Sequence, residues 1–588
     1  MMVGSHREIR HGMLIEWDVP IPMVDGVVLR GDVYRPPGQE RVPAILSHGP
    51  YGKWAHYADN SPHQWGRMRD EHPDTVSGTS NSYQCWEVVD PEKWVPDGYA
   101  VVRVDSRGSG RSPGQFALLS PQETRDFATC IEWAASQPWS NGKVGLNGIS
   151  YYGINQWQVA ELQPQGLAAM CVWEGASDLY REMFYHGGIL CTFADVWYPG
   201  RVRARQHGLG ERGDRSRFTG GWVSGPDTLT DEELGARRTD LPAEARLHPL
   251  FDAYWEQRVP DLSSIDVPLL SAGNWGGAGL HLRGNIEGFL GVASQEKWLE
   301  VHGDAHWTHF YTDYGVDLQK RFFGHFLRGE DTGWSEQPRV LLQVRAPGER
   351  FEERHEDEWP PASTTWTRFY LEPDDLSFTL DRCDSRASLS YDPLGDGLTF
   401  LSSPTDEPLE ILGPSSASLA VSSATRDADI FLVLRVFTPD LREVTFQGAN
   451  EPRTPVGHGW LRASHRKLDE ALSLPYRPVH THDEHQPLTP GEIYRLEVEI
   501  WPTSIVVPSG YRLGLSVRGR DHLSQGSAHP ALPGTGLGAT SAAVFSGVGP
   551  FRHTSPDDRP LEVVGGQVTL HWTEDCQPSV LLPVIPRR

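Results

Sequence analysis

Asn147-Gly148-Ile149-Ser150-Tyr151-Tyr152-Gly153 is the sharpest chemical signal in the 588-residue chain. An apolar run precedes it and a helical pattern follows. A nucleophilic serine on a strand-to-helix turn needs small neighbours, because the strained turn leaves little room for side chains. Gly148 stands two residues before Ser150, as that geometry asks. The second glycine is displaced by one, giving G-x-S-x-x-G. The helix after Ser150 would present backbone N–H groups and a positive dipole end to a developing oxyanion. A serine hydroxyl is a poor nucleophile at neutral pH, so it needs a base. The segment 301–309, after the last strand of the same series, offers His302, His306 and His309. His302 lies at the strand end and reads as a packed core residue. His306, in the loop proper, is the expected base, with His309 second.

Two other clusters compete for attention. Asp105, Arg107 and Arg111 surround a Gly-rich loop, and ion pairs that brace the loop account for them better than acid–base chemistry. His480, His482 and His485 alternate with Thr481, Asp483 and Glu484. Metal ligands must converge, and this stretch reads as a polar loop between strands.

These residues need a scaffold. Short apolar runs alternate with helical patterns through the first third: VVLRGDVYRP (27–36), RVPAILSHGPYG (41–52), YAVVRVDSRGSGRS (99–112), TRDFATCIEWAASQP (124–138), KVGLNGISYYGINQWQVAEL (143–162) and GLAAMCVWEGASDLY (166–180). Buried strands alternating with helices imply a parallel sheet covered on both faces. From 181 to 260 the rhythm breaks into a Trp-, Arg- and Gly-rich stretch, expected to be a helical insertion, or cap. Strand and helix signals resume at 267–277, 282–290 and 297–307, and LQKRFFGHFLRGED (318–331) closes the domain as a helix. The expected segments are 1–180 and 261–337 for the α/β domain, 181–260 for the cap, and 338–588 for an all-β sandwich closing with VTLHWTE (568–574).

Composition excludes several classes. Hydrophobic residues make up 38% and charged residues 22%, enough apolar material for packed cores and too much for disorder. The 60 Gly and 46 Pro argue against an all-helical bundle. A net charge of −25 disfavours a phosphate-backbone partner, so no nucleic acid is expected. No apolar run is long enough to span a membrane. The six cysteines (Cys85, Cys130, Cys171, Cys191, Cys383, Cys576) include no C-x-x-C pair, and no secretory leader is visible. A cytoplasmic protein is the simplest expectation.

Several stretches together carry a resemblance: DGVVLRGDVYRP, HGPYGK (48–53), DSRGSGRSPGQF (105–116), IEWAASQPWSNGKVGLNGISYYG (131–153), KRFFGHFLRGEDTGW (320–334), GWLRASHRKLD (459–469) and LTPGEIYRLEVEIWPTSIVVPSGYRLGLSV (488–517). In order and content they resemble the cocaine esterase / Xaa-Pro dipeptidyl-peptidase / α-amino-acid ester hydrolase group of serine hydrolases. The resemblance implies an α/β-hydrolase domain with an inserted helical cap, followed by a jelly-roll (galactose-binding-like) domain. It implies Ser150 as nucleophile, His306 as base, and an oxyanion hole made by the Tyr51 hydroxyl and the Tyr151 backbone N–H. A phenol is a neutral, rigid donor suited to that task.

One part departs from the group's pattern. The loop Ala272-Gly273-Asn274-Trp275-Gly276-Gly277-Ala278-Gly279 has no carboxylate where the group usually carries an aspartate. Asp178, at the end of an earlier core strand, is the expected substitute acid; its competing reading is a helix N-cap before Arg181. Asn274 as a neutral acceptor is the other candidate. The implied function is cleavage of carboxylic esters through an acyl-enzyme, on a small-molecule acyl substrate and without cofactor or metal. The alternatives are an Xaa-Pro dipeptidyl-peptidase or amide acylase, and a jelly-roll binding protein with a degraded hydrolase domain. An ammonium-capturing site would draw on acids such as Glu182, Asp195 and Glu211. Trp173, Phe184, Tyr185, Trp197 and Tyr198 are candidate pocket walls, and a homo-oligomer is compatible with the sequence.

Overall fold

The computed structural model describes residues 6–382, 386–525, 544–545 and 547–586; Cys383 lies outside them. The other five cysteines are buried and unpaired. The N-terminal half is organised by an eleven-stranded sheet. Its strands are β1 (His6–Arg10), β2 (Met13–Pro22), β3 (Val28–Arg35), β4 (Val42–Gly49), β5 (Ala100–Asp105), β6 (Ser140–Ile149), β7 (Leu167–Trp173), β8 (Leu269–Asn274), β9 (Lys297–His302), β10 (Val340–Ala346) and β11 (Arg350–Glu356). Their order in space is β1-β2-β3-β5-β4-β6-β7-β8-β9-β10-β11. The run from β5 to β10 is parallel, and antiparallel strands flank it on both sides.

β4 and β5 are buried at every position, which explains their unbroken apolar sequences: a parallel strand with helices on both faces has no solvent side. Helix α1 (Pro121–Ser136) starts on Ser120, whose hydroxyl accepts the Glu123 N–H, with Pro121 at the first helical position. Helix α2 (Tyr151–Glu161) is buried at all but its last residue. Helices α3 (Leu282–Gly291) and α4 (Asp313–Phe323) follow β8 and β9, and α4 runs on into a wider turn over Gly324–Arg328. The carboxyl ends of β6, β7, β8 and β9 therefore sit side by side. This is where an open parallel sheet offers a crevice for chemistry.

Between Tyr180 and Glu256 the chain forms short helical turns, none longer than the seven residues of Leu241–Leu247, and a small hairpin pairing Tyr185–His186 with Ile189–Leu190.

The C-terminal domain is built from antiparallel strands. Leu409–Ser423 and Tyr494–Val507 form its spine, with an irregular step between Gly413 and Ser415. Gly413 has φ +144°, a backbone conformation that a side chain would strain. Ile411, Leu419, Leu432, Leu496, Val498 and Leu515 lie in its core. The last strand is Ser579–Ile585, beyond the expected closing strand. It pairs with both Leu409–Ser423 and Thr365–Leu371. The two domains are tied by an ion cluster: buried Arg283 of α3 reaches buried Glu182 at 2.9 Å and half-buried Glu499 at 3.0 Å. Among the described residues, no helix is long and apolar enough to cross a membrane.

Candidate active site

Ser150 closes β6 and opens α2 with φ +58° and ψ −114°. That conformation is costly for a residue with a side chain and persists only where the surroundings impose it. The surroundings are tight. The Ser150 N–H donates to Trp173 O at 3.0 Å, and Ser150 O accepts from the amides of Gly153 and Ile154 at 2.8 and 2.7 Å. A Cβ on Gly148 would stand 2.4 Å from Tyr152 Cβ, and one on Gly153 3.0 Å from Trp173 O. Both glycines of G-x-S-x-x-G are thus required by close approach, the second by the end of β7.

The group in contact with the Ser150 hydroxyl is His281. Its Nε2 lies 3.1 Å from Ser150 Oγ. His281 follows the β8 turn and immediately precedes α3. It is buried, and its Nδ1 has no hydrogen-bond partner. The His306 ring stacks on it, with centroids 4.7 Å apart and planes 15° apart. His306 comes from the loop after β9, and its amide donates to Ala449 O of the C-terminal domain at 3.0 Å. Its Nδ1 lies 2.7 Å from Glu174 Oε2 and its Nε2 3.3 Å from Glu87 Oε1.

Glu174, the first residue past β7, is fully buried with φ +46°. Its other oxygen meets His302 Nε2 and the Asn274 side-chain amide, each at 3.3 Å. His302 in turn meets Glu300 at 2.7 Å. The result is a buried chain of alternating carboxyl and imidazole groups: Glu300, His302, Glu174, His306, Glu87. Burial alone would raise the Glu174 carboxyl, yet the two imidazoles hold it far below the carboxylate range. Burial likewise opposes charge on the histidines, but the carboxylates push His306 up to about 10 and His302 to about 9. His281 behaves oppositely: burial and the His306 charge drive it well below its ordinary value. Glu87 is raised by burial, opposed by its bond to His306.

Asp178 is engaged elsewhere. It caps the turn after it, accepting the Arg181 N–H at 2.9 Å and pairing with the Arg181 guanidinium at 2.7 Å. The carboxylate beside His306 is Glu174, four residues earlier. Asn274 touches Glu174 and Asp304 O rather than a histidine. His309 packs on His302, with ring centroids 5.0 Å apart. Tyr51 lines the same cavity as Ser150, and its hydroxyl accepts from Trp197 Nε1 at 3.0 Å, leaving its own proton to donate. Tyr151 buries its phenol against Glu123 at 2.6 Å, and its amide belongs to the first helical turn, where backbone N–H groups have no intrahelical partner.

The cavity over Ser150 is walled by Trp86, Phe193, Trp197 and Leu280, with Glu87, Arg201, His281 and His306 among its polar groups. The C-terminal domain adds Asn450, Pro550 and Phe551. Of the five aromatic residues expected in the wall, Trp197 lines it. Trp173 packs on His302 and Phe184 on Trp255, the Tyr185 and Tyr198 hydroxyls bond to the backbone carbonyls of Ala245 and Thr239, and none of these four lines the cavity. Glu182 pairs with Arg283 and Asp195 with Arg246, away from the cavity, and Glu211 lies outside it. Asp105 accepts the backbone amides of Lys53 and Arg111, which braces the turn two residues past Tyr51. Donor atoms of Glu174, His281 and His306 lie within 4.8 Å of one another, the single grouping among the described residues that could hold a metal. The Glu174–His306 hydrogen bond, the stacking of His306 on His281 and the contact of His281 with Ser150 already account for that closeness.

Sequence reasoning passed over Glu174, Glu87 and His281. Glu174 is the last residue of the apolar run VWE, and His281 sits at the seam between a glycine turn and a helix.

Two family models cover most of the chain: X-Pro dipeptidyl-peptidase (S15 family) over residues 25–311, and the X-Pro dipeptidyl-peptidase C-terminal non-catalytic domain over 332–550. The cocaine esterase of Rhodococcus sp. is 27% identical over 579 residues, covering 85% of this chain and 90% of that protein. An α-amino-acid ester hydrolase shares the fold at 16% identity and a TM-score of 0.66, over 98% of this chain and 97% of that one. A CocE/NonD family hydrolase from Staphylococcus aureus superposes with a TM-score of 0.83 at 30% identity, over 100% of this chain and 97% of that one. With likeness of that extent over both domains, this chain belongs to the CocE/NonD family of hydrolases.

Proposed function

We propose that the protein is a serine hydrolase that cleaves carboxylic esters of small molecules through an acyl-enzyme. The observation that carries this reading is the Ser150 hydroxyl, raised on a strained elbow and 3.1 Å from an imidazole, inside a largely apolar cavity. Ser150 Oγ attacks the ester carbonyl. The Tyr51 hydroxyl and the Tyr151 amide receive the oxyanion. His306, oriented by Glu174, is the acid–base histidine that serves the leaving alcohol and the hydrolytic water. Glu174 takes the part that the sequence reading gave to Asp178. The similarity to a cocaine esterase supports esters as substrates. The short helical turns of 181–260 act as a cap, contributing Phe193, Trp197 and Arg201, and the C-terminal strands form a jelly roll that closes the cavity's far side.

The description of the S15 family model favours a second reading, release of Xaa-Pro dipeptides. Glu87 is the acid that lines the cavity and could meet a substrate ammonium, although one of its oxygens is held by His306; Glu174 lies outside the lining and is spent on two histidines. A fluorophosphonate probe tests the hydrolase reading: labelling of the wild type and none of Ser150→Ala is expected, and an unlabelled, folded wild type would overturn it. Turnover of an Xaa-Pro anilide without turnover of p-nitrophenyl esters would replace the ester reading by the peptide one.

A further inference from the structure

Two imidazoles flank one hydroxyl, and their nitrogens are not equivalent. His306 presents each nitrogen to a carboxylate, Glu174 on one side and Glu87 on the other. A ring with acceptors on both nitrogens holds both protons and has no lone pair to offer. His281 has a hydroxyl on Nε2 and nothing on Nδ1, so a neutral ring fits that place. We propose that the two histidines divide the proton transfers, His281 taking the Ser150 proton and His306 giving one to the departing alcohol. The proposal rests on the ester reading above and adds His281 to it as a catalytic residue.

The bookkeeping of protons closes. In acylation the Ser150 O–H proton passes to His281 Nε2 while Oγ bonds to the carbonyl carbon. The tetrahedral intermediate collapses, the C–O bond to the alcohol breaks, and the alkoxide takes the proton from His306 Nε2, where it displaces Glu87. In deacylation water gives a proton to that vacated nitrogen and its oxygen bonds to the acyl carbon. Ser150 Oγ then leaves and recovers its proton from His281. The sum is ester plus water to acid plus alcohol. The stacked pair carries one extra proton at rest and one in the acyl-enzyme, so neither half-reaction changes the net charge of this buried site. That matters because an uncompensated charge in such a place is costly.

The charged and titratable groups around the pair are consistent with this assignment. His281 faces His306, Glu174 and Ser150. His306 faces Glu174, Glu87 and His281, with His302 sharing Glu174 and the Arg201 charge acting on Glu87. His306 stays protonated up to about pH 10, and His281 stays neutral well below pH 6.5.

The test compares an alkyl ester, ethyl acetate, with p-nitrophenyl acetate, whose leaving group needs no acid. The enzyme is the full chain, and kcat/KM reports acylation. His281→Gln and His281→Phe are both expected to lose about 10²- to 10⁴-fold on both esters. His306→Gln is expected to lose at least tenfold more on the alkyl ester than on the aryl ester. Wild-type kcat/KM for the alkyl ester is expected to hold through neutral pH and fall as pH rises through about 10, because the acid form of His306 is consumed. A rise of kcat/KM through that same range, His281 variants within threefold of wild type, or equal losses on both esters in His306→Gln would each overturn the division. Those outcomes leave serine labelling and ester turnover in the wild type intact, so they are distinct from a failure of the ester reading itself.

Discussion

The turn after β8 delivers His281 with no carboxylate hydrogen-bonded to either nitrogen; the loop after β9 delivers His306 with one on each. The two rings lie face to face 4.7 Å apart, so position alone does not distinguish them. Their partners do. Glu174, just past the end of β7, and Glu87, from the loop between β4 and β5, hold a proton on one ring, and the charge so placed repels a proton from the other. Protonation in this site is a property of the group of side chains rather than of any residue in it.

Changing those partners breaks or sharpens the contrast. The largest effect is expected for Glu174→Gln, which removes the carboxylate held by His306 and His302. Its kcat/KM should fall about 10³- to 10⁴-fold, as when an acid is withdrawn from a serine-protease triad. A loss under tenfold would mean that His306 does not depend on Glu174. Glu87→Gln removes the opposing charge on Nε2. With one carboxylate fewer the imidazolium is less favoured, so the alkaline fall of alkyl-ester turnover should move to lower pH by about one unit. A pH–rate series on both chains measures it, and an upward move contradicts the sign. Asn274→Ala cuts a tie between the two turns, since its amide donates to Glu174 and to Asp304 O. A threefold to tenfold loss is expected, the size of one hydrogen bond, read as kcat/KM on p-nitrophenyl acetate. Asp178→Asn should change kcat/KM less than twofold, because Asn also caps a helix and Asp178 contacts Arg181 rather than a histidine. A hundredfold loss there would return Asp178 to the reaction.

These particular residues also explain what the sequence could tell. The strained elbow at Ser150 was legible because its strain is local: the bend sets its demands on Gly148 within two residues and on Gly153 within three. The parallel sheet was legible because burial on both faces leaves unbroken apolar runs. The carboxylate beside His306 was not legible. Glu174 takes its role from histidines about 130 positions further along, and no spacing rule spans that distance. Its neighbour Asp178, with a visible N-cap pattern, competed for the same role. His281 was masked by its place at the entry of α3, where a polar residue has a ready local explanation. Glu87 belongs to a loop that sequence reading left without an element, although its φ of +63° marks it as held under strain.

The His306 amide is anchored on Ala449 O, and Asn450, Pro550 and Phe551 complete the wall above Ser150. The cavity over Ser150 is therefore shared property of two halves that a family boundary would separate at about residue 332. Severing them would leave a half-built chamber, and remodelling the loop tips around 450 and 550 would retune selectivity without disturbing the elbow.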